Sequence, residues 1–331
     1  MVKIHRPTMD PLYINKEKIA SLLPMDECIV AMDNMFRALA NGECLQPLRS
    51  IMWLPDKSGL LGMMPGYAQG PGLMVLKAIS IFHGNHAAGY PSHQGVVILF
   101  DGRHGTPLLF FDAAEITAIR TAAASAVATR LLSRENSKIL AILGTGEQAE
   151  KHIEAMVQVR SINRINLWGR DLQKATALAK KISARYSIPI HATDDIRTAV
   201  GHADIICTVT ASKQPILPGD RIAQGTHINA VGSSTPAARE LDTTAVKRSK
   251  LFTDRRESLL NEAGDFLIPR EEGAITDSHI KGEIGEVLTG TKKGRENSDE
   301  ITLFKSLGIA VEDLFAAWHI YKKLNGGQTE A

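Results

Sequence analysis

The stretch Ile142-Leu143-Gly144-Thr145-Gly146-Glu147-Gln148-Ala149 narrows the folds open to this chain more than any other feature. An apolar run ends in two glycines and passes straight into a helical pattern, as in the GxGxxA turns that bring backbone against a dinucleotide pyrophosphate. Gly144 permits the tight turn, Gly146 lets an anion approach the main chain, and Ala149 keeps the helix close to its sheet. Free N–H groups at the helix start then face the anion. Gly144, Thr145, Gly146, Glu147 and Gln148 are therefore the candidate cofactor-binding residues of the turn. Glu147 is the awkward member, because its carboxylate has to point away from the phosphates.

The turn sits in a chain of 331 residues, enough for about two domains. After Asn136 strand and helix patterns alternate, with strands at 138–143, 164–168, 203–208, 226–231 and 250–253 and helices at 148–159 and 172–186. This predicts right-handed crossovers and a doubly wound parallel sheet of Rossmann type. Before residue 120 short β-like runs dominate, at 59–64, 73–82, 95–100 and 107–111. A helix at 25–40 accompanies them, its apolar Ile29, Met32, Met35, Phe36 and Leu39 at helical spacing. Another opens with an Asp112-x-x-Glu115 cap and continues through small residues to 132. Residues 290–300 read as a solvated loop, and 309–324 as a final amphipathic helix returning to the first domain. The expected fold is α/β, with an α+β domain from 1–120 and 310–331 and a Rossmann domain from 121–309.

With 38 Lys and Arg against 36 Asp and Glu, the formal charge of +2 provides no basic field for nucleic acid or an anionic membrane. No apolar stretch approaches the roughly 18 residues a membrane span needs. Residues 1–10 lack the apolar core of a leader peptide. Cys28, Cys44 and Cys207 are widely spaced, without a CxxC pair, which points away from disulfides and zinc and toward a reducing cytoplasm.

Several charges stand out. Lys77 interrupts the apolar run 73–82, so it either snorkels at an edge or faces an anion in a cleft. Arg49 and Arg120 are candidate carboxylate clamps, since a guanidinium fork matches a carboxylate; taken singly, each reads first as a surface ion-pair residue. His83, His86 and His93 lie close in sequence, yet no acid or Cys accompanies them, so no metal site is expected. His93 is instead a candidate pocket residue. After the strand at 164–168 comes Arg170, suited to a 2′-phosphate and hence to NADPH, while Asp171 leaves NADH open. No GxSxG elbow supports acyl transfer.

The motifs Pro91-Ser92-His93-Gln94, Ile119-Arg120-Thr121-Ala122-Ala123, His227-Ile228-Asn229-Ala230-Val231-Gly232, Ile284-Gly285-Glu286-Val287 and Phe304-Lys305-Ser306-Leu307-Gly308, with the glycine turn, resemble the ornithine cyclodeaminase and mu-crystallin family in order along the chain. The resemblance implies a homodimer whose second domain builds the dimer contact and supplies substrate residues. It puts Arg49, Lys77 and Arg120 at substrate positions and Thr121 at a cofactor-phosphate position, and it extends the cofactor set to Thr210, Val231 and Ser306. Ser234 stands where deaminating members of the family carry an Asp, as in mu-crystallin-like ketimine reductases.

A hydroxyl is no carboxylate base at neutral pH, so reduction of a preformed imine is favoured over oxidative deamination. The expectation is an NAD(P)H-dependent reductase of small cyclic ketimines, with Lys77 and Ser234 as catalytic residues. The alternatives are ornithine cyclodeaminase, alanine dehydrogenase, or an NADP-regulated small-ligand-binding protein.

Overall fold

The computed structural model describes residues 11–326, apart from the side chains at 83, 86 and 87. The leader reading at 1–10 and the chain after 326 lie outside the described residues, as do the imidazoles of His83 and His86. The first part runs β1 (Leu12–Ile14), α1 (Lys16–Leu22), α2 (Met25–Ala40), β2 (Cys44–Leu45), β3 (Ser50–Trp53), β4 (Leu60–Ala68), β5 (Leu73–Ile81), β6 (His93–Asp101), β7 (Pro107–Asp112) and α3 (Ala113–Leu132). Then come β8 (Ile139–Leu143), α4 (Glu147–Val159), β9 (Arg164–Trp168), α5 (Leu172–Ser183), β10 (Ile190–Thr193), α6 (Ile196–Val200), β11 (Ile205–Thr208) and β12 (His227–Ala230). The chain closes with α7 (Thr243–Arg248), β13 (Ser249–Thr253), α8 (Arg256–Glu262), α9 (Gly264–Glu271), β14 (Ile280–Glu283), α10 (Ile284–Leu288), β15 (Ile301–Lys305) and α11 (Ala310–Leu324).

Two sheets organise these elements. The first is ordered β1-β7-β6-β5-β4-β2, with β3 also on β4, and is antiparallel except where β1 joins β7. Its alternation decides which face is covered: Leu73, Val75 and Lys77 of β5 are buried under the helices, while Met74, Leu76 and Ala78 are half-buried on the other face. α2 lays Ile29, Met32, Met35, Phe36 and Leu39 into this core, each contributing about 1.5–3 kcal/mol by leaving water. α11 packs on β4, β5 and α2, so the end of the chain lies against its first part.

The second sheet, β10-β9-β8-β11-β12-β15-β13-β14, is parallel throughout. Strand order reverses between β8 and β11, the switch point at which open α/β sheets hold their ligands. α3 joins the two sheets as one continuous helix through Arg120, packed on α2 and on α4. Asp112 caps it by accepting from the Glu115 N–H at 2.9 Å. Its small residues leave almost no surface exposed, as close helix contact requires. Among the described residues no helix is long and apolar enough to cross a membrane.

Candidate active site

The carboxyl ends of the second sheet line up in register. Trp168 pairs with Leu143, Leu143 with Thr208, Thr208 with Ala230, Ala230 with Lys305 and Lys305 with Thr253. The loops carrying Gly144, Arg170, Thr210, Val231, Ser234 and Ser306 therefore all leave from one edge.

The glycine turn is built as a backbone cradle. Gly144 has φ +137°, and a Cβ there would lie 2.7 Å from the Val209 carbonyl, so only glycine fits. Gly146 is the N-cap of α4 and has nothing within 4 Å of its missing Cβ. Open space thus faces a helix start that no side chain caps. Gln148 Oε1 beside it is buried without a hydrogen-bond partner. The open, uncapped helix start fits a dinucleotide pyrophosphate. Lys16 of α1 ion-pairs with Glu147 at 2.9 Å and lies 3.3 Å from the buried Glu115, giving the awkward carboxylate a cation of its own.

Thr145 packs its methyl at Gly169, where a Cβ would meet it at 2.6 Å. Beyond, Arg170 is exposed and has no ion-pair or hydrogen-bond partner among the described residues. Asp171 is occupied, since its Oδ1 caps α5 by accepting from the N–H groups of Gln173 and Lys174. Thr121 and Ser306 are buried, Val231 is half-buried, and the Thr210 hydroxyl donates to Glu240 at 2.7 Å.

The three cations converge where the segment after β15 crosses between the sheets. Arg49 donates to the carbonyls of Leu307 and Gly308 at 3.0 and 3.1 Å and ion-pairs with Glu262, the last residue of α8, at 2.9 Å. Arg120 pairs with Glu312 and, at 3.0 Å, with Asp313, both in the first turn of α11. Gly308, at φ +72°, lies so close to Arg120 that a Cβ would come within 2.6 Å of the guanidinium. Lys77, 3% exposed, donates to Thr117 Oγ1 at 2.6 Å and lies 3.6 Å from Asp313.

Burial pushes the Lys77 ammonium down to about 8; Asp313 opposes this, and the nearby Arg120 and Arg49 charges add to it. Burial lifts Glu312 to about 7 against the pull of Arg120. Arg120 is itself buried, which favours the neutral form, yet Asp313 and Glu312 hold it above its usual value. One donor, Arg49 Nε, and two acceptors, Glu312 Oε1 and Asp313 Oδ2, stay without a hydrogen-bond partner among the described residues of this buried space. Such groups await a polar ligand or water.

Arg49, Lys77 and Arg120 are thus brought together, and their carboxylates Glu262, Glu312 and Asp313 are additions that the sequence reading did not foresee. Ser234 is half-buried in the loop after β12 and makes no side-chain hydrogen bond among the described residues; the carbonyl of its neighbour Thr235 accepts from Gly264 N–H at 3.2 Å, two residues beyond Glu262. His93 lies apart from the cluster. It pairs with Ile81 at the exposed end of β6, four positions from the partner of Lys77, or about 13 Å along the strand. Its Nδ1 is 2.9 Å from Ser92 Oγ.

A model of the ornithine cyclodeaminase/mu-crystallin family matches residues 9–328. The chain belongs to that family. It is 35% identical to the ketimine reductase mu-crystallin of Mus musculus, over 96% of this chain and 99% of the relative. Among solved structures, the Delta(1)-pyrroline-2-carboxylate reductase of Thermococcus litoralis, in complex with NADH and L-proline, superposes with a TM-score of 0.92 at 37% identity, covering 97% of this chain and all of that one. An archaeal alanine dehydrogenase dimer with bound NAD gives 0.91 at 29% identity, covering 98% of both chains.

Proposed function

We propose that the chain is an NAD(P)H-dependent ketimine reductase, converting small cyclic imino acids such as 1-pyrroline-2-carboxylate or 1-piperideine-2-carboxylate to L-proline or L-pipecolate. The observation that carries this is the buried Lys77 beside Arg49 and Arg120, where the chain crosses from the dinucleotide edge of the second sheet to the first. The relatives that this chain resembles, a ketimine reductase and a pyrroline-2-carboxylate reductase holding NADH and proline, support the same chemistry.

Each residue has a distinct task. Arg49 offers its unpaired Nε to the substrate carboxylate, with Arg120 as the second cation. Lys77, poised near neutrality, donates a hydrogen bond and then a proton toward the imine. Ser234 orients the nitrogen directly or through one water. Glu262, Glu312 and Asp313 balance the cations within the fold. A bound reduced nicotinamide supplies the hydride, which the imine carbon accepts while its nitrogen takes the proton. Positioning accounts for most of the acceleration.

Three finer readings accompany this one. NADPH is the preferred cofactor, because Arg170 is unpartnered while Asp171 is engaged in capping α5. The working form is a homodimer joined through the uncovered face of the first sheet. The compartment is a reducing cytoplasm, in keeping with three unpaired cysteines.

The deciding experiment gives purified protein each cyclic imine with NADPH and NADH in parallel, alongside ornithine and pyruvate plus ammonia. Cofactor oxidation is expected with the imines, and faster with NADPH. Cofactor binding without turnover of either imine overturns the reading, and ammonia release from ornithine at comparable efficiency replaces it.

A further inference from the structure

Below the loops that follow β11 and β12 lie three fully buried charged side chains, Glu240, Asp265 and Lys305, which take no part in the pocket described above. Glu240 accepts four hydrogen bonds at 2.7 Å. Its Oε1 takes the Thr210 N–H and hydroxyl, and its Oε2 takes the Thr208 hydroxyl and the Gly232 N–H. Asp265, in the first turn of α9, accepts from the N–H groups of Glu240 and Leu241 at 2.9 and 3.0 Å. Lys305, the last residue of β15, lies 3.1 Å from Asp265 and donates to the carbonyls of Ala230 and Ser233 at 3.2 and 2.5 Å.

These contacts close into a ring. From Gly232 it runs through the Glu240 carboxylate, the Glu240 N–H, Asp265 and Lys305 to the Ser233 carbonyl, back beside its start. The loop enclosed carries Val231 and Ser234, and Glu240 ties it to the Thr210 loop at the end of the neighbouring strand. The fit is close: a Cβ on Gly232 would lie 2.1 Å from the Thr210 carbonyl and 2.6 Å from Glu240. The Thr210 loop is in turn braced on the phosphate turn, since Val209 O is the atom that excludes a Cβ at Gly144.

We propose that Glu240 is a positioning residue, which through the ring with Asp265 and Lys305 fixes the 208–210 and 231–234 loops as the floor of the nicotinamide half of the cleft and aims Ser234 at the substrate. It touches neither substrate nor cofactor. Its two oxygens each face a backbone N–H, from Thr210 on one side and Gly232 on the other. An amide therefore cannot replace it, because the NH2 group meets a backbone donor whichever way it is turned.

The test is Glu240→Gln in the full-length protein, with Thr208→Val as a milder partner that removes one hydroxyl donor and leaves both backbone N–H groups in place. Three quantities are measured: the Kd for NADPH by fluorescence, the fraction of sites able to bind it, and kcat and KM for a cyclic imine per active site. Glu240→Gln is expected to raise the NADPH Kd about tenfold and to lower kcat per site by about tenfold or more, with imine KM within about threefold of wild type; Thr208→Val shifts both about two- to fivefold. A purely structural role would reduce the fraction of binding sites and leave Kd and kcat of the remainder unchanged, and that result overturns the proposal. Should Glu240→Gln fail to fold, wild-type values in Thr208→Val overturn it instead. The kcat arm rests on the ketimine reductase reading, but the NADPH affinity arm does not, so inactivity of the wild type toward imines would sink that reading alone.

Discussion

Lys77 shows how one side chain can be legible in sequence while its surroundings are not. A single charge within an apolar strand has to find a partner, and it finds Thr117 and Asp313. With burial holding its ammonium at about 8, the protonated donor is the major form below that pH and is lost above it. For imine reduction, kcat/KM is therefore expected to fall above about pH 8 as a single ionisation, and Lys77→Met to lose about 10²–10⁴-fold together with that limb. A profile of wild type and variant from about pH 6 to about pH 10 checks both, and a wild-type profile flat through the alkaline range refutes the donor role. The acidic partners were invisible for a physical reason. Glu312 and Asp313 stand in the first turn of α11, where acids ordinarily serve the helix dipole, and Glu262 ends a short helix that no periodicity announces. The available signal was that every residue from Ala310 to Ala317 other than these two acids is apolar; the whole first half of α11 is buried instead of showing the amphipathic pattern expected of it, and acids within it require cations.

Elements with strong periodicity were foreseen closely. α2 and β9 match the expected 25–40 and 164–168, and the glycine turn opens α4 as anticipated. Short elements escaped: β3, β10, β14 and β15 have four or five residues, and an apolar run of that length reads equally as buried helix or strand. β15 mattered most, because it delivers Lys305 to the buried ring and Gly308 to Arg120. α5 stops at Ser183, short of the expected 186. The two glycines of the turn do separable work. Gly144→Ala forces a side chain into a left-handed backbone and onto the Val209 carbonyl, which is expected to cost about 1–3 kcal/mol of stability as well as cofactor affinity. Gly146→Ala has an ordinary φ of −89° and open space, so it should keep the wild-type Tm and weaken only nicotinamide-cofactor binding, its methyl standing where the proposed pyrophosphate site lies. Thermal unfolding and cofactor titration of both variants separate the effects; equal affinity of Gly146→Ala and wild type would remove the pyrophosphate from that turn.

At the scale of the whole molecule, the described helices cover only one face of the first sheet. Met63, Met74, Leu76, Val96, Ile98 and Phe110 form an apolar surface, half-buried by its own neighbours and roofed by no helix among the described residues. Leu76, Ile98 and Phe110 sit directly across from one another on three adjacent strands, so the surface is continuous rather than scattered. A patch of this kind on a charge-balanced chain favours association, and a second copy offers a face of the same polarity. The consequence reaches the site, because Leu76 and Ala78 flank Lys77 on β5 and point to the opposite face. A partner sheet packed against them would stiffen the strand that holds the ammonium. Ile98→Asp places a charge at the centre of the face without entering the helix-covered core. The variant is expected to sediment as a monomer at micromolar concentration, to retain far-UV dichroism and nicotinamide-cofactor affinity, and to lose kcat. A wild type that sediments as a monomer while reducing imines at full rate would show that the sheet face serves neither assembly nor catalysis.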